Sequence, residues 1–340
     1  MHTTYTPVRT RRLGLAGAAA AVTLGLAVAG PAGTAGATSR GSARVAHDTL
    51  TVVGTSRADA IALRLAPGDA NTIQVDFGDN GTADRSFDRS TFTSIHVFTR
   101  SGNDRFRVDQ VNGPFADEAL SIDGGSGNDT LDGGDGIETF YGRSGNDAVD
   151  GNRGNDTGVL GSGRDSFRWD PGDGSDIVEG QSGTDALDFN GAAANENMSL
   201  SVEGRRSVFL RDVANIRMDM DDVEQLDLTA LGGTDTMTVN DMRGTDFRQA
   251  NVDLSGPAGG GDGAADTITV NGTERRDVID LTTSHGRVAV DGLQTAVDVT
   301  GSEPTDLLQV NALGGNDDVD VDPAVLALIN VAVDLGAGQR

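Results

Sequence analysis

The sequence predicts an all-β protein: a parallel β-roll or β-solenoid flanked by further β-solenoid or β-sandwich-like regions. Three observations carry that expectation. Short segments of alternating apolar and polar residues, separated by Gly, Asn and Asp turn signals, recur from residue 49 to residue 336. An acidic residue returns at every ninth position from 129 to 165, in phase with an apolar one. No segment beyond residue 37 has convincing helical periodicity.

Composition narrows the class. The 340-residue chain has 52 Asp and Glu against 26 basic residues, all of them arginine, for a formal charge of −26. Such a charge argues against nucleic acid or an anionic membrane as partner and suits a cation. Aromatic residues are 4% of the chain, which leaves little for a large globular core. The chain also lacks cysteine, so a thin-cored exported protein has no disulfide staple, and a bound metal is the substitute.

Residues 1–37 read as an export signal. Arg9, Arg11 and Arg12 form a basic start, Leu13 to Val28 an apolar stretch, and Ala35-Gly36-Ala37 a cleavage site. The expected location is extracellular, with no membrane span after signal removal. Residues 38–120 read as an N-terminal β region. Within it "DFGDNGTADRSFD" (76–88) reads as a hairpin around Asp-Asn-Gly, the alternative being a separate calcium loop.

Residues 121–190 are a repeat. In register from Gly124, the nonapeptides are GGSGNDTLD, GGDGIETFY, GRSGNDAVD, GNRGNDTGV and LGSGRDSFR. Their sixth positions are Asp129, Glu138, Asp147, Asp156 and Asp165, and after a two-residue insertion the phase resumes at Asp176 and Asp185. The glycines Gly125, Gly127, Gly134, Gly136, Gly145, Gly154, Gly163, Gly174 and Gly183 permit tight turns whose carbonyls point inward. An Asp at the end of such a turn adds a carboxylate. Calcium takes six to eight hard oxygen ligands, which one turn cannot supply and two stacked turns can. The three residues that follow form a strand with one inward apolar side chain, so two nonapeptides make one coil. On that reading Asp129, Asp147, Asp165 and Asp185 line one edge, and Glu138, Asp156 and Asp176 the other. Leu131, Phe140, Val149, Phe167, Val178 and Leu187 form the core between them.

The pattern G-G-x-G-x-D-x-U-x resembles the RTX, or hemolysin-type, calcium-binding repeats. It departs from them at Glu138, at Gly158 in an apolar position, and at Leu160-Gly161 in place of the leading glycines. The resemblance implies a secreted β-roll whose nonapeptides fold on binding extracellular Ca2+.

Residues 191–340 read as a C-terminal β-repeat region. Longer echoes tie it to the N-terminal region: Gly54-Thr55 with Asp59 matches Gly272-Thr273 with Asp277, and Gly102-Asn103-Asp104 matches Gly233-Thr234-Asp235 and Gly315-Asn316-Asp317. Catalytic motifs are missing. There is no H-E-x-x-H, G-x-S-x-G or P-loop, and the histidines are His2, His47, His96 and His285. The expected function is therefore a secreted calcium-binding structural or interaction protein. Its partners are calcium and a cell-envelope or matrix polysaccharide or protein. The alternative is a calcium-stabilised enzyme, lyase- or epimerase-like, acting on polysaccharide. Trp169, with Phe167, reads as a cap on the first block of coils or, alternatively, as a sugar platform.

Overall fold

A computed structural model of the chain describes residues 40–336, and the export signal expected at residues 1–37 lies outside them. Ser39–Arg340 forms one compact unit. It is all-β, apart from three single-turn 3-10 segments, and holds two sheets of 14 strands each. The first sheet runs from the strand Ser42–Ala46 to Asn330–Asp334, and the second from Arg85–Asp88 to Asp318–Val321.

In the repeat the chain alternates between the two sheets. Ala119–Ser126, Glu138–Ser144, Thr157–Gly163 and Ile177–Gly183 lie parallel in the first, and Thr130–Asp132, Ala148–Asp150, Ser166–Trp169 and Ala186–Asn190 lie parallel in the second. Residues 18 apart are opposed, as Phe140 with Ile122 and Val149 with Leu131. The period of nine is therefore half a coil. The alternation of side chains along each strand turns one apolar residue per half-coil inward. Leu131, Phe140, Val149, Phe167, Val178 and Leu187 are each at most 1% exposed. Gly158, which breaks the apolar pattern, sits under Phe167. A Cβ there would lie 2.7 Å from the Phe167 ring, so the aromatic side chain of the facing strand fills the missing volume.

The flanks continue the same two sheets. His96 in the strand Ser94–Phe98 opposes Ser121, and Leu187 opposes Leu226 in the strand Gln225–Thr229, both in parallel register. A single buried cluster extends from Leu50 to Ile329. The sandwich-like alternative for the flanks is thus replaced by sheets that pass residues 120 and 190 without a break. Three antiparallel excursions interrupt the winding, at Ala60–Asp88, Asn197–Asp221 and Val278–Thr300. The first contains the expected hairpin: Asp69–Phe77 pairs with Arg85–Asp88, and Arg64 and Arg107 take up Asp76 and Asp79 respectively.

Trp169 is fully buried, stacked at 4.1 Å on Phe189, which in turn packs on Phe209. Arg211 lies over its other side and pairs with Glu196, both deep in the core. Trp169 therefore bridges the repeat to the excursion at Asn197–Asp221 and presents no surface to a sugar.

Candidate functional site

The two edges where the chain crosses between sheets hold the repeat carboxylates. On one edge the amide of each acidic residue donates to the carboxylate of the next coil. Asp104 donates to Asp129 Oδ1 at 2.8 Å, Asp129 to Asp147 and Asp147 to Asp165 at 2.8 Å, and Asp165 to Asp185 at 2.9 Å. Asp59 precedes this column, donating to Asp104, and Glu224 follows it, accepting from Asp185. On the opposite edge Glu138 donates to Asp156 and Asp156 to Asp176, both at 2.7 Å. The alternation between edges that the spacing predicts is the one present.

Glycines make the columns possible. Gly124 and Gly142 stand five residues before Asp129 and Asp147, and a Cβ at either would be 2.6 Å from the Oδ2 of its aspartate. Gly127, Gly145, Gly163 and Gly183 stack directly on one another with φ between +122° and +149°, and a Cβ on any of them would be 2.0 Å or less from the carbonyl oxygen below. Gly136, Gly154 and Gly174 form the matching column on the other edge. The second position of the repeat is less strict. Gly125 has φ +93°, but Arg143 and Gln181 occupy equivalent places at +80° and +72°, and Gly134 is not in the left-handed region at all.

Each carboxylate uses one oxygen in the ladder, and the second has a different fate at different positions. Oδ2 of Asp104, Asp129, Asp147, Asp165 and Asp185 is buried with no hydrogen-bond partner among the described residues in five successive coils, as is Oδ2 of Asp156 on the other edge. At Glu138 the longer side chain folds back and its Oε2 accepts from the Gly134 amide at 2.9 Å. Two of the echo turns close on themselves, whereas Asp235 Oδ2 is unpartnered like that of Asp104: Asp59 and Asp277 accept from both the amide and the hydroxyl of Thr55 and Thr273 respectively. The turns at Asp59 and Asp277 share the motif but leave no oxygen to spare.

Burial in these columns disfavours the ionised form. It pushes Asp129 up to about 7, opposed by the Asp104 amide and aided by the Asp147 charge. Burial likewise raises Asp147 to about 6, Asp185 to about 7, Asp176 to about 7, Glu138 to about 7 and Asp156 to about 9. Asp165 is raised for the same reason.

Further acidic residues occupy equivalent places downstream. Glu196, Asp235, Asp266 and Asp306 form a third ladder by the same amide-to-carboxylate bonds. The sequence pattern points to Asp235 through its Gly-Gly-Thr-Asp turn and misses the other three, because their spacings of 39, 31 and 40 residues follow no period.

Comparison with protein-family models, curated proteins and solved structures finds no match. The site is therefore read from its own chemistry. Among the described residues no three acidic or histidine side chains converge on one point as a ready metal cage. Any ion in the columns must take carboxylates from successive coils together with turn carbonyls. The unpartnered Oδ2 atoms are hard anionic donors of the kind calcium prefers, so the residues fit that ion. Among the described residues no catalytic constellation is assembled around His47, His96 or His285. His96 is outward and contacts Phe98, and His285 bonds only its neighbour Ser284. None of the helices among the described residues is long and apolar enough to cross a membrane.

Proposed function

We propose that the chain is a secreted calcium-binding structural or interaction protein, with ions held along the nonapeptide edges. One observation carries the reading: five successive coils each present a buried carboxylate oxygen without a partner. A buried anion without a counter-charge is costly, and either a proton or a cation must relieve it. At extracellular pH a cation relieves the whole column. The likeness of the nonapeptides to RTX repeats supports calcium as that cation. Asp129, Asp147, Asp165 and Asp185 would hold it on one edge, and Asp156 and Asp176, with Glu138, on the other. The bound ion supplies positive charge and cross-links successive turns, so binding energy becomes folding energy.

Titration calorimetry on the mature chain tests the reading. Roughly three to five calcium ions should bind between residues 124 and 188, with affinities on the order of 10⁻⁴–10⁻³ M. Magnesium, which demands octahedral geometry and sheds water reluctantly, should give little heat. Asp147→Ala and Asp129→Ala should each remove sites shared with the coils on both sides, since Asp104 and Asp147 flank Asp129 as Asp129 and Asp165 flank Asp147. The spacing alone makes Asp129 the end of its row, and the column in fact continues through Asp104. Equal heats for the two metals, or unchanged calcium heats in both variants, count against shared sites. The location is proposed from the sequence signal alone. N-terminal sequencing of exported protein should begin at Thr38, and an intact Met1 on that material would remove the export reading.

A further inference from the structure

Downstream of the nonapeptides the carboxylate ladder gains a second column. Along the first, Glu196, Asp235 and Asp266 each donate an amide to the carboxylate of the next coil, ending at Asp306. Beside it, the Gly233 amide donates to Asp262 Oδ2 at 2.8 Å and the Gly263 amide to Glu303 Oε2 at 2.7 Å. Asp262 belongs to the long turn 254–265 that leads to Asp266, and Glu303 to the turn that leads to Asp306.

The rungs of the first column differ in how the second oxygen is met. Glu196 is closed by Arg211, deep in the core, and by the Ala192 amide. Asp306 is closed by its own turn, where Oδ2 accepts from the Glu303 amide at 2.6 Å. Asp235 is 2% exposed, and its Oδ2 has no hydrogen-bond partner among the described residues. The charges that act on Asp235 come from Asp266, Glu196 and Asp262, and those on Asp266 from Asp306, Asp262 and Glu303, every one an acid. Arg211, the cation at the head of the ladder, is spent on Glu196.

A buried anion that faces other anions needs positive charge from outside the chain. A proton would relieve one carboxylate, whereas a divalent ion offsets two. Softer ions ask for His or Cys, and neither occurs in 230–236, 254–266 or 301–306. Carboxylate and carbonyl oxygens are the donors that calcium takes. Among the described residues no three of these side chains converge as they stand, so an ion at Asp235 must draw the Asp262 turn toward it. Asp262 already reaches that coil through the Gly233 amide, two residues before Asp235. The turn has room to shift, since nothing lies within 4 Å of the Cβ positions of Gly259, Gly260 and Gly263. We propose that Asp235, with Asp262 and Asp266, binds a calcium ion at a site of its own and that binding fastens the turn 254–265. The site lies outside the nonapeptides and stands or falls separately from the ions proposed there.

Hydrogen exchange of the mature chain at pH 8, read peptide by peptide by mass spectrometry, tests it. Roughly 10 mM calcium, about ten times the dissociation constant of a weak extracellular site, should slow exchange across 254–266 about tenfold relative to EDTA. The same concentration of magnesium should not. Asp235→Asn keeps the oxygen that accepts the Glu196 amide and removes the charge. It should abolish the calcium effect at 254–266 and leave that at 124–188 as in the parent. Asp262→Asn, in a partly exposed turn, should do the same, and it decides the matter if Asp235→Asn does not fold. A parent with no calcium protection at 254–266 overturns the proposal, as does equal protection by magnesium. Protection that survives in either variant also overturns it, because it would reach this turn through the shared core. Protection at 254–266 but not at 124–188 upholds this site and removes the nonapeptide reading, and the reverse pattern removes this site alone.

Discussion

Gly163→Ala should be among the most damaging single substitutions in the chain, lowering stability by roughly 3 kcal/mol or more in urea unfolding. Two costs add. Gly163 has φ +149°, a conformation that L side chains rarely adopt, and its Cβ would lie 1.7 Å from the carbonyl oxygen of Gly145 in the coil below. That atom is backbone, so relief requires the coils to part, and the carboxylate ladder between Asp147 and Asp165 parts with them. Gly172→Ala separates the two costs. Gly172 also has positive φ, at +122°, yet nothing lies within 4 Å of its Cβ position. Strain alone should cost about 1–2 kcal/mol there. Equal losses for the two substitutions would mean that close stacking of the glycine column does not hold the turns together.

The second large effect is a reversal of pH dependence by metal. Without calcium, the raised carboxylates bind protons more tightly in the folded chain than in the unfolded one, where aspartate titrates near its ordinary value of about 3.9. Their contribution is therefore fully present below that value. It is lost as pH rises through the folded values, about 6 for Asp147, about 7 for Asp129, Asp176 and Asp185, and about 9 for Asp156. In that window each carboxylate still protonated in the fold gives a slope of about 1.4 kcal/mol per pH unit, stability falling as pH rises. In EDTA the protein should thus be markedly more stable at pH 5 than at pH 8. Calcium binds the deprotonated form, so saturating calcium should flatten or invert that slope. Urea midpoints across this range, with EDTA and with calcium, give the comparison, and parallel slopes in the two series would contradict it.

The repeat was legible in the sequence because its coil length is constant. Nine residues per half-coil place Asp129, Asp147 and Asp165 in one column and set Leu131, Val149 and Phe167 behind them. The regularity fails where loops lengthen. Glu224 completes the column after Asp185 from 39 residues away, and Glu196, Asp266 and Asp306 have no periodic neighbour to announce them. Period-two alternation also reads the same in a parallel coil and in an antiparallel hairpin. The strand Arg206–Arg211, which runs against both its neighbours, therefore could not be told from a solenoid strand. Nor does motif matching tell which oxygen is free. Asp59 and Asp129 both follow a glycine by five residues, but Thr55 claims the second oxygen of Asp59, and no described residue claims that of Asp129.

The continuity of the buried core alters what metal removal should do. The nonapeptide coils share one cluster with the flanks, from Leu50 to Ile329, so their unfolding should draw in the neighbouring coils instead of leaving them intact. The most direct measurement is far-UV circular dichroism during urea unfolding of the mature chain at pH 8, in EDTA, in millimolar magnesium and in millimolar calcium. At that pH most of the column carboxylates lack protons to relieve them. Calcium alone should shift the midpoint to clearly higher urea, while magnesium tracks EDTA. Superimposable curves in EDTA and calcium would contradict the claim that the carboxylate columns are built to hold that ion.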